Sequence, residues 1–381
     1  MANVLLTGTR APAALELARV FSRAGHRVIA AESFRAQLSA PSRALARSYL
    51  VPPPRQQTDE FLQALERIIK AEAIDLRVPT CEEVFHVARG RAWLSTTVFC
   101  EPIERLRELH NKFLFNGLAD RLGLCTPDAR LVKSEDDLVA TFSELGSLVL
   151  KPLYSRFASK ALIRPDIREA RRALQRGPRV EWIAQRYVGG QELCTYSVCH
   201  VGRVTAHAAY PARFTAGQGA TVLFEPIEHA GALAWVRQLV GAISFTGQIA
   251  LDFIESQDGT LFALECNPRA TSGAHLLAAE PAFANAFFDA SQPILVPSAD
   301  TRPAMLGTAM LMYGLPQSLR RHGFIKWLRA FKAARDVVFD PHDPWPAILQ
   351  LRSIVHYLRL ARQRGISALQ ASTYDIEWNG E

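Results

Sequence analysis

The chain has 381 residues, 49% of them hydrophobic, which is enough for two or three domains with a sizeable core. Its formal charge of +7 is moderate, so we expect no nucleic-acid partner, and no apolar run approaches the roughly 18 residues of a membrane span. Six scattered cysteines without a Cys-x-x-Cys pair argue against a structural zinc site and favour reduced thiols.

The first hundred residues alternate strand and helix patterns, as a small α/β domain does. Strands are predicted at Asn3–Leu6, Arg27–Ala31 and Asp75–Val78, and helices at Ala13–Ala24 and Asp59–Ala71. The turn Thr7–Pro12 could bind an anion, but it lacks the Gly-x-Gly-x-x-Gly of dinucleotide sites. No basic leader precedes the first strand, which predicts a cytoplasmic protein. We place an N-terminal Rossmann-like α/β domain at residues 1–105.

Two lysines stand where a nucleotide site needs positive charge. Lys112 lies near the start of a helical segment, and Lys151 ends the apolar strand pattern that Pro152 terminates. Both could neutralise phosphates as point charges. A lone lysine is more often a solvated surface charge, so the motifs that follow decide between the two interpretations.

A strand, a Gly-Gly turn and a second strand are predicted between residues 182 and 193. Extended backbone at Gln185, Arg186, Tyr187 and Val188 could pair with an adenine edge. Glu192, at the start of the second strand, could bind ribose hydroxyls.

The strongest local pattern is a hairpin near the middle of the chain. Asp252 follows an alternating apolar run, Gln257–Thr260 is a turn, and a second apolar run leads to Glu265 and Asn267. Carboxylate and amide oxygens are the ligands that Mg²⁺ prefers, and Mn²⁺ could replace it. The alternative is a pair of surface acids beside a turn.

In this order the motifs resemble the ATP-grasp superfamily, with a carbamoyl-phosphate-synthase-like ATP-binding fold, over about residues 105–290. The resemblance implies two α+β subdomains, a smaller one at 106–195 and a larger one with the metal site at 196–300. It gives each motif a role: phosphate binding by Lys112 and Lys151, an adenine hinge at Gln185–Val188, ribose binding by Glu192, Mg²⁺ binding by Asp252, Glu265 and Asn267, and a position beside the transferred phosphate for Arg269.

By the same resemblance, the protein would be an ATP-dependent ligase that activates a carboxylate as an acyl-phosphate and joins it to an amine. Lys151 and Arg269 would be its catalytic residues. The segment after Lys151 should cover the phosphates, yet residues 153–160 contain no glycine. Ser155 could still donate hydrogen bonds there. A non-catalytic ATP-binding module, regulatory or membrane-docking, is therefore the alternative function.

Candidate substrate residues lie outside the metal hairpin. Arg213, in a glycine-containing loop, could bind a carboxylate or phosphate, and the alternative is a solvated arginine. Ser272 and Gly273 form a turn whose N–H groups could bind an acyl-phosphate. His275 is either a substrate contact or a packing residue. In ATP-grasp proteins the N-terminal domain lines the acceptor pocket, which makes Pro79–Glu83 a candidate substrate-side loop; a capped helix start is its alternative.

Residues 301–381 form a basic helical extension. Helices are predicted at 319–334 and 348–364, each with an apolar side and flanking basic residues. The apolar sides could dock on the chain's own domain, cover a hydrophobic substrate, or contact an anionic membrane surface peripherally. The tail after Thr373 has a strand-like alternation and could fold back near the active site. The oligomeric state stays open, with a homodimer as one alternative.

Overall fold

The computed structural model describes residues 1–154, 161–176, 180–216, 219–320 and 323–380. The N-terminal part is a parallel sheet in the order β3-β2-β1-β4-β5. Its strands are β1 (Asn3–Thr7), β2 (Arg27–Glu32), β3 (Arg47–Leu50), β4 (Leu76–Pro79) and β5 (Thr97–Val98). Its helices are α1 (Pro12–Arg23), α2 (Thr58–Glu72) and α3 (Glu83–Arg89), followed by a 3₁₀ turn at Arg91–Trp93.

The predicted strands and helices of this region are confirmed to within two residues at each end. β1 and β2 read as continuous apolar runs because strands covered on both faces are buried along their length. The predicted Rossmann-like arrangement is confirmed. Strand β3 was not predicted, since three of its four residues are exposed at the edge of the sheet.

The second sheet is antiparallel, in the order β6-β9-β7-β8. Its strands are β6 (Ala129–Val132), β7 (Leu148–Pro152), β8 (Leu162–Ile163) and β9 (Trp182–Arg186). The helices before and around it are α4 (Ile103–His110), α5 (Lys112–Arg121), α6 (Glu135–Leu145) and α7 (Ile167–Arg176). A small separate core under this sheet includes Leu138, Leu150 and Trp182.

The third sheet is also antiparallel, in the order β11-β10-β15-β16. Its strands are β10 (Gln191–His200), β11 (Arg203–Pro211), β15 (Gly247–Glu255) and β16 (Leu261–Asn267). Between β11 and β15 come β12 (Thr215–Ala216), β13 (Ala220–Thr221), β14 (Leu223–Phe224) and α8 (Ala230–Ala242). The predicted subdomain boundary at 195/196 falls inside β10, so this sheet begins a few residues earlier.

The remaining elements follow β16 in the chain. They are α9 (Ala274–Leu277), a 3₁₀ turn at Ala284–Phe287, β17 (Ala304–Met305), α10 (Gly307–Ala309), a π-helical segment at Met310–Gly314, α11 (Leu315–Arg320), α12 (Phe324–Ala333), β18 (Arg335–Asp336), α13 (Trp345–Arg364) and α14 (Ala368–Ala371). Strands β14, β17 and β18 form a small sheet of their own. In the described ranges no helix combines the length and apolar character needed to traverse a bilayer.

The tail was predicted to be strand-like, and this is wrong for its described part. Residues 372–376 form consecutive turns and residues 377–380 belong to no strand. The tail nevertheless packs firmly. Trp378 is buried and stacks on Phe85, with ring centroids 4.6 Å apart. The Asp375 carboxylate accepts a 2.5 Å hydrogen bond from Arg10, and Glu377 pairs with Arg55. It therefore covers the N-terminal domain, at the loops after β1 and β4.

Candidate nucleotide and metal site

Strands β15 and β16 carry the predicted metal ligands side by side. Asp252 lies directly opposite Glu265 in the antiparallel register, with a bulge immediately after Asp252. Asn267, two residues beyond Glu265, shares its face because side chains alternate along a strand. The Asn267 Nδ2 atom lies 3.5 Å from an oxygen of each carboxylate. The hairpin thus brings all three predicted ligands together.

The two carboxylates differ in their electrostatic environment. Burial and the neighbouring Glu265 charge raise the pKa of Asp252 to about 7. Burial also acts to raise the pKa of Glu265, but the charges of Lys112 and Lys151 outweigh it and lower that pKa to about 2. The cations of the protein therefore outweigh burial at Glu265, whereas at Asp252 burial and the Glu265 charge outweigh the opposing Arg269 charge.

Both predicted phosphate lysines reach this end of the hairpin. Lys112 is the first residue of α5, whose N-terminus is capped by Asn111 accepting from two backbone N–H groups. Its Nζ lies 3.4 Å from a Glu265 oxygen. Lys151, at the end of β7, donates from Nζ to the Leu264 carbonyl at 3.1 Å. Burial lowers the pKa of Lys151 to about 8, and the nearby carboxylates oppose that change.

Arg269 completes the cluster from the loop after β16. Its Nη2 donates to the Asn267 Oδ1 at 3.2 Å and lies 3.8 Å from Glu82 of the N-terminal domain. Its Nε is buried and has no hydrogen-bond partner among the described residues. A partly buried guanidinium whose buried Nε donor is unused is a group that an incoming anion would satisfy.

The donor set fits a divalent cation. The described residues hold no group of three or more His, Cys, Asp or Glu arranged for a metal, so the candidate set is two carboxylates and one amide. All three are hard oxygen ligands, and Asp252, whose pKa is raised, is the carboxylate that gains most from a nearby cation. The Asn267 amide nitrogen faces the carboxylates, so this amide must turn to offer its oxygen.

The predicted adenine hinge lies at the end of β9. Gln185 is buried and donates from Nε2 to Asn116 at 3.0 Å. Arg186 points outward, where its Nε pairs with Asp128 at 2.9 Å, and its backbone N–H donates to the Asp128 carbonyl. Tyr187 is partly exposed under the guanidinium of Arg164. Val188 follows in a segment without regular structure. The hinge side chains are thus mostly held by protein partners, and the backbone N–H of Tyr187 also donates within the protein, to the Ser147 carbonyl at 2.8 Å. The role of this segment in adenine binding stays a prediction.

Glu192 lies on the metal face of the third sheet. Cys194 is opposite Asp252 in the register, and Glu192 precedes it by two residues, so these side chains share one face. Glu192 is exposed near the start of β10, and partial burial raises its pKa. Glu192 is thus an exposed acid on the face that carries Asp252, and its role in ribose binding stays a prediction.

The predicted substrate residues are dispersed. Arg213 pairs with Glu225 at 2.6 Å on the surface. Gly273 packs so closely on Tyr196 that a Cβ there would overlap it, and Ser272 accepts the backbone N–H of His275. His275 is buried, with its Nδ1 2.8 Å from Glu16 of α1. These contacts support the packing alternative for His275, and the substrate roles of Arg213, Ser272 and Gly273 stay predictions.

Ser155 lies outside the described residues, as does the rest of the glycine-free segment after Tyr154. Its predicted role in phosphate binding stays a prediction.

Sequence reasoning missed two residues beside the site. Asn116, buried one turn after Lys112 on α5, accepts from Gln185 and donates to the Pro127 carbonyl at 2.7 Å. It ties the helix of the first lysine to the hinge strand, and its i+4 spacing from Lys112 was the available signal. Cys194 faces Asp252, and its period-two relation to Glu192 could have revealed it.

The tail reaches this site through the N-terminal domain. Trp378 donates its backbone N–H to Glu82 at 3.3 Å, and Glu82 is the acid beside Arg269. Trp378 also meets Tyr154 edge to face, with centroids 5.3 Å apart, and Tyr154 accepts a hydrogen bond from Asn111. The tail thus folds back towards the lysine and carboxylate cluster, by way of Glu82 and Tyr154.

Solved structures of similar architecture cover most of this chain. An N5-carboxyaminoimidazole synthetase from Staphylococcus aureus complexed with ADP superposes with a TM-score of 0.65 at 13% identity, over 84% of this chain and 86% of that one. A biotin carboxylase–beta-gamma-ATP complex from Campylobacter jejuni gives 0.64 at 12% identity, over 80% and 74%. An L-amino acid ligase from Bacillus licheniformis gives 0.57 at 15%, over 74% and 70%.

No protein-family model matches the chain, and no curated protein sequence does. The structural likeness nevertheless covers 74–84% of this chain in these three comparisons. The resemblance predicted from the order of the motifs is confirmed at the level of architecture: this chain has the ATP-grasp fold.

Proposed function

We propose that this protein is an ATP-dependent ligase that joins a carboxylate to an amine and releases ADP and phosphate. One observation carries the proposal. Two buried lysines, two carboxylates, an amide and an arginine from α5, β7, β15, β16 and the following loop converge on one end of the hairpin. Such a set of cations and hard oxygen ligands suits a magnesium nucleotide.

The solved structures support the nucleotide. The superposed synthetase is an ADP complex, and the superposed biotin carboxylase is a beta-gamma-ATP complex. The L-amino acid ligase supports the bond-forming class, because its name describes a ligation of amino acids.

In the proposed reaction, a substrate carboxylate oxygen attacks the γ-phosphorus of ATP, and the bond from that phosphorus to the β-phosphate oxygen breaks. The amine nitrogen then attacks the acyl carbon, phosphate leaves, and the nitrogen loses a proton. Lys112 and Lys151 bind the phosphates as fixed cations, and Arg269 binds the transferred phosphoryl group. Mg²⁺ held by Asp252, Glu265 and Asn267 would neutralise phosphate charge. Catalysis then requires positioning and charge compensation rather than a nucleophilic side chain.

The test is phosphate release from ATP with Mg²⁺, in the presence of pools of carboxylic acids and amines, with products identified by mass. A product whose mass equals acid plus amine minus water establishes the reaction. Asp252→Asn and Glu265→Gln should each lower turnover by about 100-fold or more, because a metal site contributes several kcal/mol to the transition state.

Asp258→Asn is the matched control. It changes an exposed carboxylate in the turn of the same hairpin, where Asp258 accepts from Ser256 and from the Thr260 backbone. It should leave turnover unchanged. Full turnover in both ligand variants would exclude the metal assignment. Binding of ATP without turnover in any pool would instead support the alternative of a non-catalytic nucleotide-binding module.

A further inference from the structure

Helix α13 is attached to the protein by its small and polar side. Ser353 is buried and donates to the Ala36 carbonyl. Ala361, about two turns later on the same side of the helix, is also buried. Tyr357 stacks on Phe34, with centroids 4.7 Å apart. These contacts fix the rotation of the helix on the N-terminal domain.

Because that side faces inward, the apolar side of α13 faces outward. An amphipathic helix docked on its own domain normally turns its apolar side towards the core. The exposed apolar residues are Ile348 at 56%, Leu351 at 67%, Val355 at 44% and Leu358 at 55% of their maximal accessibility. Their i, i+3, i+7, i+10 spacing makes one continuous stripe. Single exposed apolar residues are common on protein surfaces, but four aliphatic side chains in one stripe indicate an interaction surface.

Positive charge accompanies the stripe. Arg352, Arg359 and Arg362 are exposed along the same side of α13, and the sequence of this helix contains no Asp or Glu. Arg35, from the loop after β2, joins Arg352 and Arg359 in lining an open groove of about 440 Å³ beside Leu351 and Val355. Within the described ranges, the structure records no ion pair for any of the three groove arginines.

Other helices of the C-terminal extension also expose apolar side chains. Thr308 donates to Gln350 of α13 at 3.0 Å, which fixes α10 against this helix. The π-helical turn that follows α10 exposes Leu311, Met312 and Tyr313. Helix α12 adds exposed Phe324 and Ile325, together with basic side chains and no acid.

The charge pattern distinguishes between occupants of this surface. A second copy docking through the same face would oppose arginines with arginines, which costs free energy. A small free anion would neutralise the groove but leave the apolar stripe in water. An anionic lipid surface satisfies both features at once, since headgroup phosphates meet the arginines while aliphatic side chains enter the acyl boundary.

We propose that the outward face of α13, with the groove formed by Arg35, Arg352 and Arg359, docks peripherally on anionic phospholipid membranes. This surface is distinct from the lysine and carboxylate cluster, so the inference does not depend on the proposed ligase activity. The helix lies in the plane of the interface, with its buried side remaining on the protein. Binding is reversible and falls as salt screens the arginines.

The test is co-sedimentation of the full chain with vesicles of phosphatidylcholine alone and of phosphatidylcholine mixed with phosphatidylglycerol. The protein should bind the mixed vesicles and release at high salt. Arg352→Glu with Arg359→Glu should weaken that binding by about 30-fold or more. Leu351→Ser with Leu358→Ser should also weaken it, which a purely electrostatic contact would not show.

The matched control is Arg168→Glu with Arg172→Glu on exposed α7, which makes the same change in net charge elsewhere. It should retain most of the binding. Equal loss in the control, equal binding to uncharged vesicles, or no vesicle binding by the unmodified chain would each overturn the proposal. So would a dimer in sedimentation equilibrium that Leu351→Ser with Leu358→Ser dissociates, because the face would then serve a second copy.

Discussion

At position 273 the absence of a side chain lets the loop after β16 pass close to the third sheet. A Cβ on Gly273 would overlap the Cβ of Tyr196 and lie 3.1 Å from a ring carbon of Tyr210. Tyr196 cannot move aside easily, because it is buried in β10 and donates to Gln248 at 2.7 Å. Gly273 therefore fixes the path of the chain between Arg269 and α9.

Gly273→Ala should destabilise the protein by about 1–3 kcal/mol, the usual cost of overpacking a core. The measurement is the free energy of unfolding in urea. Gly117→Ala is the control, since a Cβ there would meet only the end of the Arg121 side chain at 3.7 Å within helix α5. It should be neutral or stabilise by up to about 1 kcal/mol. Equal effects of the two substitutions would refute the packing role of Gly273.

The site residues that could be predicted are those whose placement follows from local pattern. Asp252 and Glu265 flank a short turn, so alternation and turn residues alone bring them opposite each other. The partner of His275 could not be predicted in this way. Glu16 lies 259 positions away on α1, and no local periodicity encodes that contact.

At the level of elements, the tail at residues 373–380, which we call the clasp, contacts both the N-terminal domain and residues beside the site. Aromatic stacking of Trp378 on Phe85 and the paired carboxylates of Asp375 and Glu377 hold it. The alternation of its apolar residues predicted a strand, because Ile376 and Trp378 are both buried and spaced by two. In the structure the same two-residue spacing of buried side chains arises from turns. The tail is held by side-chain ion pairs with Arg10 and Arg55 instead of by strand hydrogen bonds.

Trp378→Ala should lower the free energy of unfolding by about 3–5 kcal/mol, the range for removing a buried aromatic side chain. Because Glu82 and Tyr154 lie between Trp378 and the site, it should also lower turnover measured below the melting transition. Trp93→Ala serves as the control, because Trp93 is 68% exposed and should cost little. A Trp378 variant as stable as the Trp93 variant would show that the clasp contributes nothing.

For helix α13, the sequence indicated an amphipathic helix but not its rotation. Apolar periodicity identifies two sides and normally assigns the apolar one to the core. Here the stacking of Tyr357 on Phe34 and the hydrogen bond of Ser353 set the rotation instead. Those contacts depend on the surface of a domain more than 300 positions earlier in the chain.

At the scale of the whole molecule, buried ionisable groups make stability depend on pH in two stages. Burial lowers the pKa of His86 and of His207 to about 4 each. The unfolded chain takes up protons at these positions below about pH 6.5, whereas the folded chain does not, so stability falls as pH drops from 6.5 to 4. Burial acts to raise the pKa of Glu16, but His275 and Arg335 outweigh it and lower that pKa to about 2. The contribution of Glu16 is present above pH 4.5 and lost towards pH 2.

In urea unfolding, each of these two histidines should therefore contribute a loss of about 2 kcal/mol between pH 7 and pH 5, and the raised pKa of Asp252 contributes in the opposite direction over the same range. In His207→Gln the difference between the two pH values should shrink by about that amount, whatever the change in absolute stability. His342→Gln, at an exposed position, should leave the difference unchanged. An unaltered pH difference in the His207 variant would contradict the assignment.

The contacts of the tail with the N-terminal domain also affect the order of folding during synthesis. The last strand of the N-terminal sheet ends at Val98, and Asp375 lies about 277 positions later, so a ribosome completes that sheet roughly 14 to 55 s before it adds the residues that cover it. During that interval Phe85 lacks its stacking partner, and the nascent domain presents an aromatic surface that chaperones can bind. A chain that stopped just before Thr373 would retain every strand described here. We expect it to emerge from synthesis structured, unclasped and prone to aggregate.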